Sequence, residues 1–147
     1  MVERSIAYVD TSVLVKRYFA ESDSAAAIAA LESLAIVTSE LAVLEIASAL
    51  QAAFRARAIS QVDLQAQLAE LDADRDTWDL LAITPSVLRR ARAMVGGQAL
   101  RALDAIHCAS AALFRDERAK PVGFVTLDRR QQAAAEDLGF TCLAIRP

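Results

Sequence analysis

The chain has 147 residues, a formal net charge of −3, two cysteines and 55% hydrophobic residues. That length suits one domain with a sizeable core and no need of disulfide staples, and the acidic balance excludes a broad basic surface as the main source of affinity for nucleic acid. Most of the hydrophobic excess is alanine and charges interrupt the apolar runs, so no segment is long enough to span a bilayer.

Met1-Val2-Glu3-Arg4 leads straight into strand-like sequence without the basic region, long apolar core and small-residue cleavage site of an export signal, and a cytoplasmic protein is expected. Short β-branched runs then alternate with long helical patterns. Strands are predicted at Ile6 to Asp10, Ala35 to Thr38, Leu80 to Ile83, Val122 to Thr126 and Thr141 to Ile145. The segments between them carry helical spacing: Ser24 to Leu34, Leu41 to Arg57, Gln61 to Asp72, Ser86 to Val95, Ala102 to Arg115 and Arg129 to Leu138. Ser60 ahead of Gln61-Val62-Asp63 resembles a capping box, and Thr84-Pro85 places proline where a first helical turn accepts it. Gly96-Gly97 and Gly139 read as stops. Strands separated by helices imply parallel pairing with right-handed crossovers, so the fold class is α/β, a three-layer α/β/α sandwich with a central, mostly parallel sheet in one domain over residues 1–147. Cys108 and Cys142 lack metal spacing and are expected as reduced, packed thiols.

Four acids, Asp10, Glu45, Asp104 and Asp128, each occupy the one polar spot of an apolar stretch. Burying an acid is costly unless it is paired or binds a cation, so four of them invite a common explanation in an acidic metal pocket. Asp10 and Asp128 lie where a strand gives way to a helix, the position at which open α/β sheets bind ligands. Each also has an ordinary explanation as a helix cap, with Thr11 and Ser12 as rivals to Asp10. On a helix turning about 100° per residue, Glu45, Ser48 and Gln51 share a narrow stripe, as do Asp104, His107 and Ser110. An exposed stripe on a core helix is the plain alternative. Glu40 competes with Glu45 but sits beside Thr38-Ser39 in a first helical turn, where an acid is routine. Carboxylates near 4 Å apart repel by about 4 kcal/mol at an effective dielectric of about 20, so converging acids call for a hard divalent ion, Mg²⁺ or Mn²⁺. His107 is the only histidine, which leaves zinc sites and a Ser/His/Asp triad without support; a structural or supporting place beside Asp104 suits it. The basic groups Lys16-Arg17, Arg55 with Arg57, Arg89-Arg90 with Arg92 and Arg129-Arg130 read as solvated helix faces or local phosphate contacts. The run Glu70, Asp72, Asp74, Asp76 and Asp79 reads as a solvated helix end.

Val9-Asp10-Thr11-Ser12, Ser39-Glu40-Leu41 leading into Glu45 with Ala49-Leu50, Leu103-Asp104-Ala105-Ile106-His107 and Thr126-Leu127-Asp128 occur in this order along the whole chain. Together they resemble the PIN-domain nucleases, and the length is similar to that of VapC-type ribonuclease toxins of toxin–antitoxin pairs. The resemblance implies a compact α/β/α domain whose acids meet at the carboxyl end of the sheet, Mg²⁺- or Mn²⁺-dependent cleavage of RNA, a homodimer, and inhibition by a small antitoxin. Its site residues map onto Asp10, Glu45, Asp104 and Asp128 as metal ligands and catalytic acids. Thr11 or Ser12 is expected either to bond a phosphate or to hold Asp10 in place, and an antitoxin's arginine or lysine is expected to enter the acidic pocket. Two rival functions remain: a metal-dependent phosphatase or phosphoacceptor domain, although Ser12 stands where the haloacid dehalogenase type has a second aspartate, and a non-catalytic binding module.

Overall fold

The computed structural model describes residues 2–97 and 100–145. Five strands, β1 (Ser5–Val9), β2 (Leu34–Ser39), β3 (Asp79–Leu81), β4 (Gly123–Val125) and β5 (Thr141–Cys142), form one sheet in the order β3-β2-β1-β4-β5. Every pairing is parallel, with Tyr8 opposite both Val37 and Phe124 at the centre. The helices are α1 (Thr11–Leu14), continued by a 3₁₀ turn at Val15–Arg17, then α2 (Ser24–Glu32), α3 (Glu40–Arg55), α4 (Gln61–Arg75), α5 (Pro85–Gly97), α6 (Ala102–Asp116) and α7 (Arg129–Asp137).

Strand alternation decides which residues face which layer. Ala7, Val9 and Val125 pack with Leu14, Leu31, Ile46, Leu50 and Leu71 beneath α1 to α4. Tyr8, Val37 and Phe124 pack on the other face with Ala91, Met94, Ala105, Cys108, Ala112 and Ala134 of α5 to α7. Alanines dominate the buried face of α6, which lets that helix lie close against the sheet. The three-layer sandwich is therefore as expected, and the sheet is parallel throughout.

The expected caps are present. Ser60 and Asp63 bond reciprocally as a capping box, Thr84 Oγ1 accepts from Val87 N ahead of Pro85, and Gly139 has φ 88° just past α7. The Gly139 amide donates to Glu136 O and the Phe140 amide to Ala135 O, the paired bonds that close a helix on a left-handed residue. Gly96 and Gly97 are the last two residues of α5 among the described residues. The helix expected after Asp10 is present as the single turn α1, with Asp10 at its N-cap position. Several element ends differ from those expected. β5 ends at Cys142 and not at Ile145, since β4 ends at Val125 and only Leu143 N finds one further partner, Phe124 O. α3 stops at Arg55, and Arg57 takes a left-handed φ of 59°. Both cysteines are free, with Cys108 buried. Among the described residues no helix is long and apolar enough to cross a membrane.

Candidate active site

The chain order reverses at β1: β2 and β3 lie to one side, β4 and β5 to the other. Beyond the carboxyl ends of β1 and β4 the connections diverge to opposite faces, which opens a crevice at this switch point. Asp10 stands there. Its amide donates to Val125 O at 3.1 Å, tying the end of β1 to β4, and its backbone occupies the N-cap position of α1 without a side-chain cap bond. The carboxylate turns inward and is 4% exposed. Ser12 Oγ donates to Oδ1 at 2.7 Å and Thr126 Oγ1 donates to Oδ2 at 3.0 Å. Ser12 Oγ in turn accepts from Leu127 N, so of the two roles open to this serine the one observed is holding Asp10. Burial pushes the Asp10 carboxyl up to about 6 against the bonds from Ser12 and Thr126 and the influence of His107, with the negative charge of Asp128 adding to the rise.

Glu45 projects from the second turn of α3. Its Oε1 accepts from Thr11 Oγ1 at 2.7 Å and lies 2.6 Å from His107 Nε2. Burial alone raises its pKa, but the bonds from His107 and Thr11 outweigh it and the carboxyl ends below its ordinary range. Asp104, in the first turn of α6, is raised by burial and then by the charges of Asp128 and Glu45. Asp128 Oδ1 accepts from Arg130 N at 2.9 Å and Gln131 N at 3.0 Å, so the capping explanation is realised for this residue. Gln131, fully buried, joins the two halves: its Nε2 donates to Asp104 O at 3.4 Å and its Oε1 lies 3.2 Å from Thr126 Oγ1.

Glu45, Asp104 and Asp128 line one cleft of about 580 Å³, with Arg101, Arg129 and Arg130 on its walls. Asp10, buried at 4% exposure, is not part of that lining. A ready-made ligand cage is thus not what the acids form: among the described residues no three acid, histidine or cysteine side chains close around a common point. Three of the four acids are instead held by protein donors. Ser12 and Thr126 occupy both oxygens of Asp10, Thr11 and His107 occupy Glu45 Oε1, and helix amides occupy Asp128 Oδ1. Asp104 and the second oxygens of Glu45 and Asp128 make no hydrogen bond among the described residues. That set of hard oxygen donors fits Mg²⁺ or Mn²⁺, whereas His107 has a partner at each nitrogen and offers no soft ligand.

The polar stripes behave differently from an exposed edge. Ser48 and Gln51 are exposed and Glu45 is half-buried, but His107 and Ser110 face the sheet at 2% and 1% exposure, and Ser110 Oγ has no partner among the described residues. Glu40 is exposed at the start of α3, outside the cleft. Of the basic groups, Lys16 pairs with Glu21 and Asp23, Arg17 with Asp74 at 2.6 Å and Arg90 with Asp116 at 2.8 Å. The acidic run is therefore not solvated throughout, since Asp74 also accepts from Tyr18. Tyr8, Thr126, Gln131 and Arg101 are site residues the sequence reading did not select. Tyr8 and Thr126 carried a usable signal, because each precedes a candidate acid by two positions, the spacing that shares a strand face.

The family model described as PIN domain matches residues 7–137. No curated protein sequence matches the chain significantly. Solved structures do resemble it. The toxin-antitoxin complex from Klebsiella pneumoniae aligns with a TM-score of 0.68 at 18% identity, over 95% of this chain and 98% of that one. FitAcB from Neisseria gonorrhoeae aligns with a TM-score of 0.70 at 16% identity, over 95% and 97%. A protein from Pyrobaculum aerophilum aligns with a TM-score of 0.63 at 21% identity, over 94% and 89%. At these identities the likeness is one of fold.

Proposed function

Since this chain belongs to the PIN domain family, we propose that it is a divalent-metal-dependent endoribonuclease, the toxin of a toxin–antitoxin pair. The observation that supports this reading most is that acids from three separate elements, Glu45 of α3, Asp104 of α6 and Asp128 at the β4–α7 corner, line one cleft. Asp104, together with Asp10, whose oxygens each keep a second lone pair beside the Ser12 and Thr126 donors, would hold the principal Mg²⁺ or Mn²⁺, with Glu45 and Asp128 completing the pocket directly or through water. Such an ion supplies an acidified water and neutralises charge on a scissile phosphate. The chain's own residues supply the rest. Glu45, held ionised by its donors, accepts a hydrogen bond from the attacking water, and Thr11 and Ser12 keep Glu45 and Asp10 in place. Arg101, Arg129 and Arg130 bring positive charge to the rim, where phosphates flanking the scissile bond would lie. This local supply suits a chain of net charge −3.

The antitoxin part of the reading rests on the PIN resemblance and on the toxin-antitoxin complex from Klebsiella pneumoniae, whose fold this chain shares. A guanidinium or ammonium inserted among Glu45, Asp104 and Asp128 would pair with carboxylates and take the place of the cation. A cytoplasmic homodimer completes the proposal. The deciding experiment incubates the Mn²⁺-loaded protein, and its Asp104→Asn variant, with a structured RNA and with a small phosphate ester. Cleavage of RNA alone, lost in the variant, is expected. Turnover of the ester would favour a phosphatase, and metal-dependent RNA binding without cleavage would favour a binding module.

A further inference from the structure

Behind Glu45 a line of side chains runs from the cleft to the middle of the sheet. His107 Nε2 lies 2.6 Å from Glu45 Oε1, and His107 Nδ1 lies 2.7 Å from the Tyr8 hydroxyl. Tyr8 is wholly buried on the central strand, and His107 is 2% exposed on α6. The two rings meet edge to face, with centroids 5.9 Å apart, and Tyr8 stacks on Phe124 at 5.5 Å on its other side. Neither Tyr8 nor His107 lines the cleft, so neither is placed to touch a substrate there. An imidazole held at both nitrogens and packed against a buried ring has one orientation open to it. When the phenol O–H donates to Nδ1, that nitrogen is the acceptor and the ring proton sits on Nε2, aimed at the carboxylate. The Thr11 hydroxyl donates to the same oxygen at 2.7 Å. Both donors therefore converge on Oε1, while Oε2 makes no hydrogen bond among the described residues and is the oxygen left for the cleft.

We propose that His107 is a positioning residue: oriented by Tyr8, its Nε2–H fixes Glu45 by Oε1 so that Oε2 is presented to the cleft. This rests on the reading of Glu45 as an acid of the active site. A half-buried glutamate without these donors samples several rotamers, and a carboxylate that must meet a cation or a water in one geometry is weakened by that freedom.

His107 is the only histidine in the chain, so histidine-labelled protein gives a single pair of imidazole nitrogen signals. A protonated Nε2 and a proton-free Nδ1 are expected. Tyr8→Phe is expected to move chiefly the Nδ1 signal and Glu45→Gln chiefly the Nε2 signal, both in folded protein. Tyr8→Phe removes one hydroxyl and keeps the ring, which avoids the unfolding risk of replacing His107 itself. The same variant is expected to weaken Mn²⁺ binding and lower kcat for RNA by roughly tenfold, with KM much less affected because the rim arginines are untouched. In a Glu45→Gln background Tyr8→Phe should then change neither quantity further. A proton-free Nε2 overturns the proposal, as does a Tyr8→Phe effect on Mn²⁺ affinity of equal size in the Glu45→Gln background, which would mean general loosening of the core. If the native protein neither binds Mn²⁺ nor cleaves RNA, the proposed function fails, and the nitrogen signals still decide whether His107 holds Glu45.

Discussion

Asp10 and Asp128 started from the same sequence context, the end of a strand run followed by a helix, and the fold treats them differently. Asp128 caps α7 with Oδ1, whereas Asp10 gives both oxygens to Ser12 and Thr126 and leaves its helix uncapped by a side chain. Amide replacement should therefore separate them. Asp10→Asn and Asp104→Asn are expected to lose nearly all RNA cleavage with the fold retained, and Glu45→Gln almost as much. Asp128→Asn is expected to be mildest, because asparagine still caps and still offers a carbonyl oxygen. Glu40→Gln, exposed outside the cleft, is expected to be silent; cleavage at saturating Mn²⁺, after circular dichroism has confirmed folding, checks the order. The raised Asp10 carboxyl has a consequence of its own for the metal-free protein. Its pKa of about 6 exceeds the ordinary 3.8, so the fold favours the protonated form. The associated stability is present below pH 3.8 and is lost as pH rises through about 6, a change on the order of 3 kcal/mol. Between pH 4 and 7 the stability of Asp10→Asn relative to the native chain should therefore rise by about that amount, which urea unfolding in the presence of a chelator measures.

At the scale of elements, caps and stops carried more information than periods did. Ser60 with Asp63 starts α4 and Gly139 ends α7 as their chemistry requires. At the end of α3 the same closing motif is built on arginine: Ala58 N donates to Ala53 O at 2.8 Å and Arg57 N to Phe54 O at 2.9 Å around a left-handed Arg57. A side chain in that conformation costs about 1 kcal/mol or more. Arg57→Gly relieves about 1–2 kcal/mol of left-handed strain and loses about 0.5–1 kcal/mol to glycine's extra entropy in the unfolded chain, so the unfolding free energy should rise by roughly 0.5–1 kcal/mol; an unchanged or lower urea midpoint would contradict it. The helix pattern over Leu41 to Arg57 ran two residues too far for this reason, since composition does not reveal a left-handed arginine.

For the whole molecule, the parallel sheet and its switch point bring together acids separated by as many as 118 positions, from Asp10 to Asp128. If they share a cation, Mn²⁺ binds the folded state preferentially and adds about 2.7 kcal/mol of stability at a hundredfold excess over its dissociation constant. Asp104→Asn should abolish most of that gain while costing little metal-free stability, because Asp104 makes no side-chain hydrogen bond among the described residues. An unchanged metal-induced melting shift in that variant would count against a common cation site. The order of strands and helices was legible from local signals alone, namely β-branched runs, helical spacing and caps such as Ser60 and Pro85. Each of those depends on neighbours a few residues apart. So was the choice of Glu45 over Glu40 as the acid facing the cleft, because a stripe on one helix is also local. Beyond the local bonds of Ser12 to Asp10 and of Asp128 to its own helix, what the acids bond to was decided only in the tertiary structure. Thr126 on Asp10, Gln131 between Thr126 and Asp104, and Tyr8 behind His107 and Glu45 bridge separations along the chain that no local pattern encodes. Whether a buried carboxylate is held by hydroxyls, by an imidazole or by helix amides depends on which strands are neighbours, and parallel pairing across β1 and β4 settles that through contacts between opposite ends of the chain.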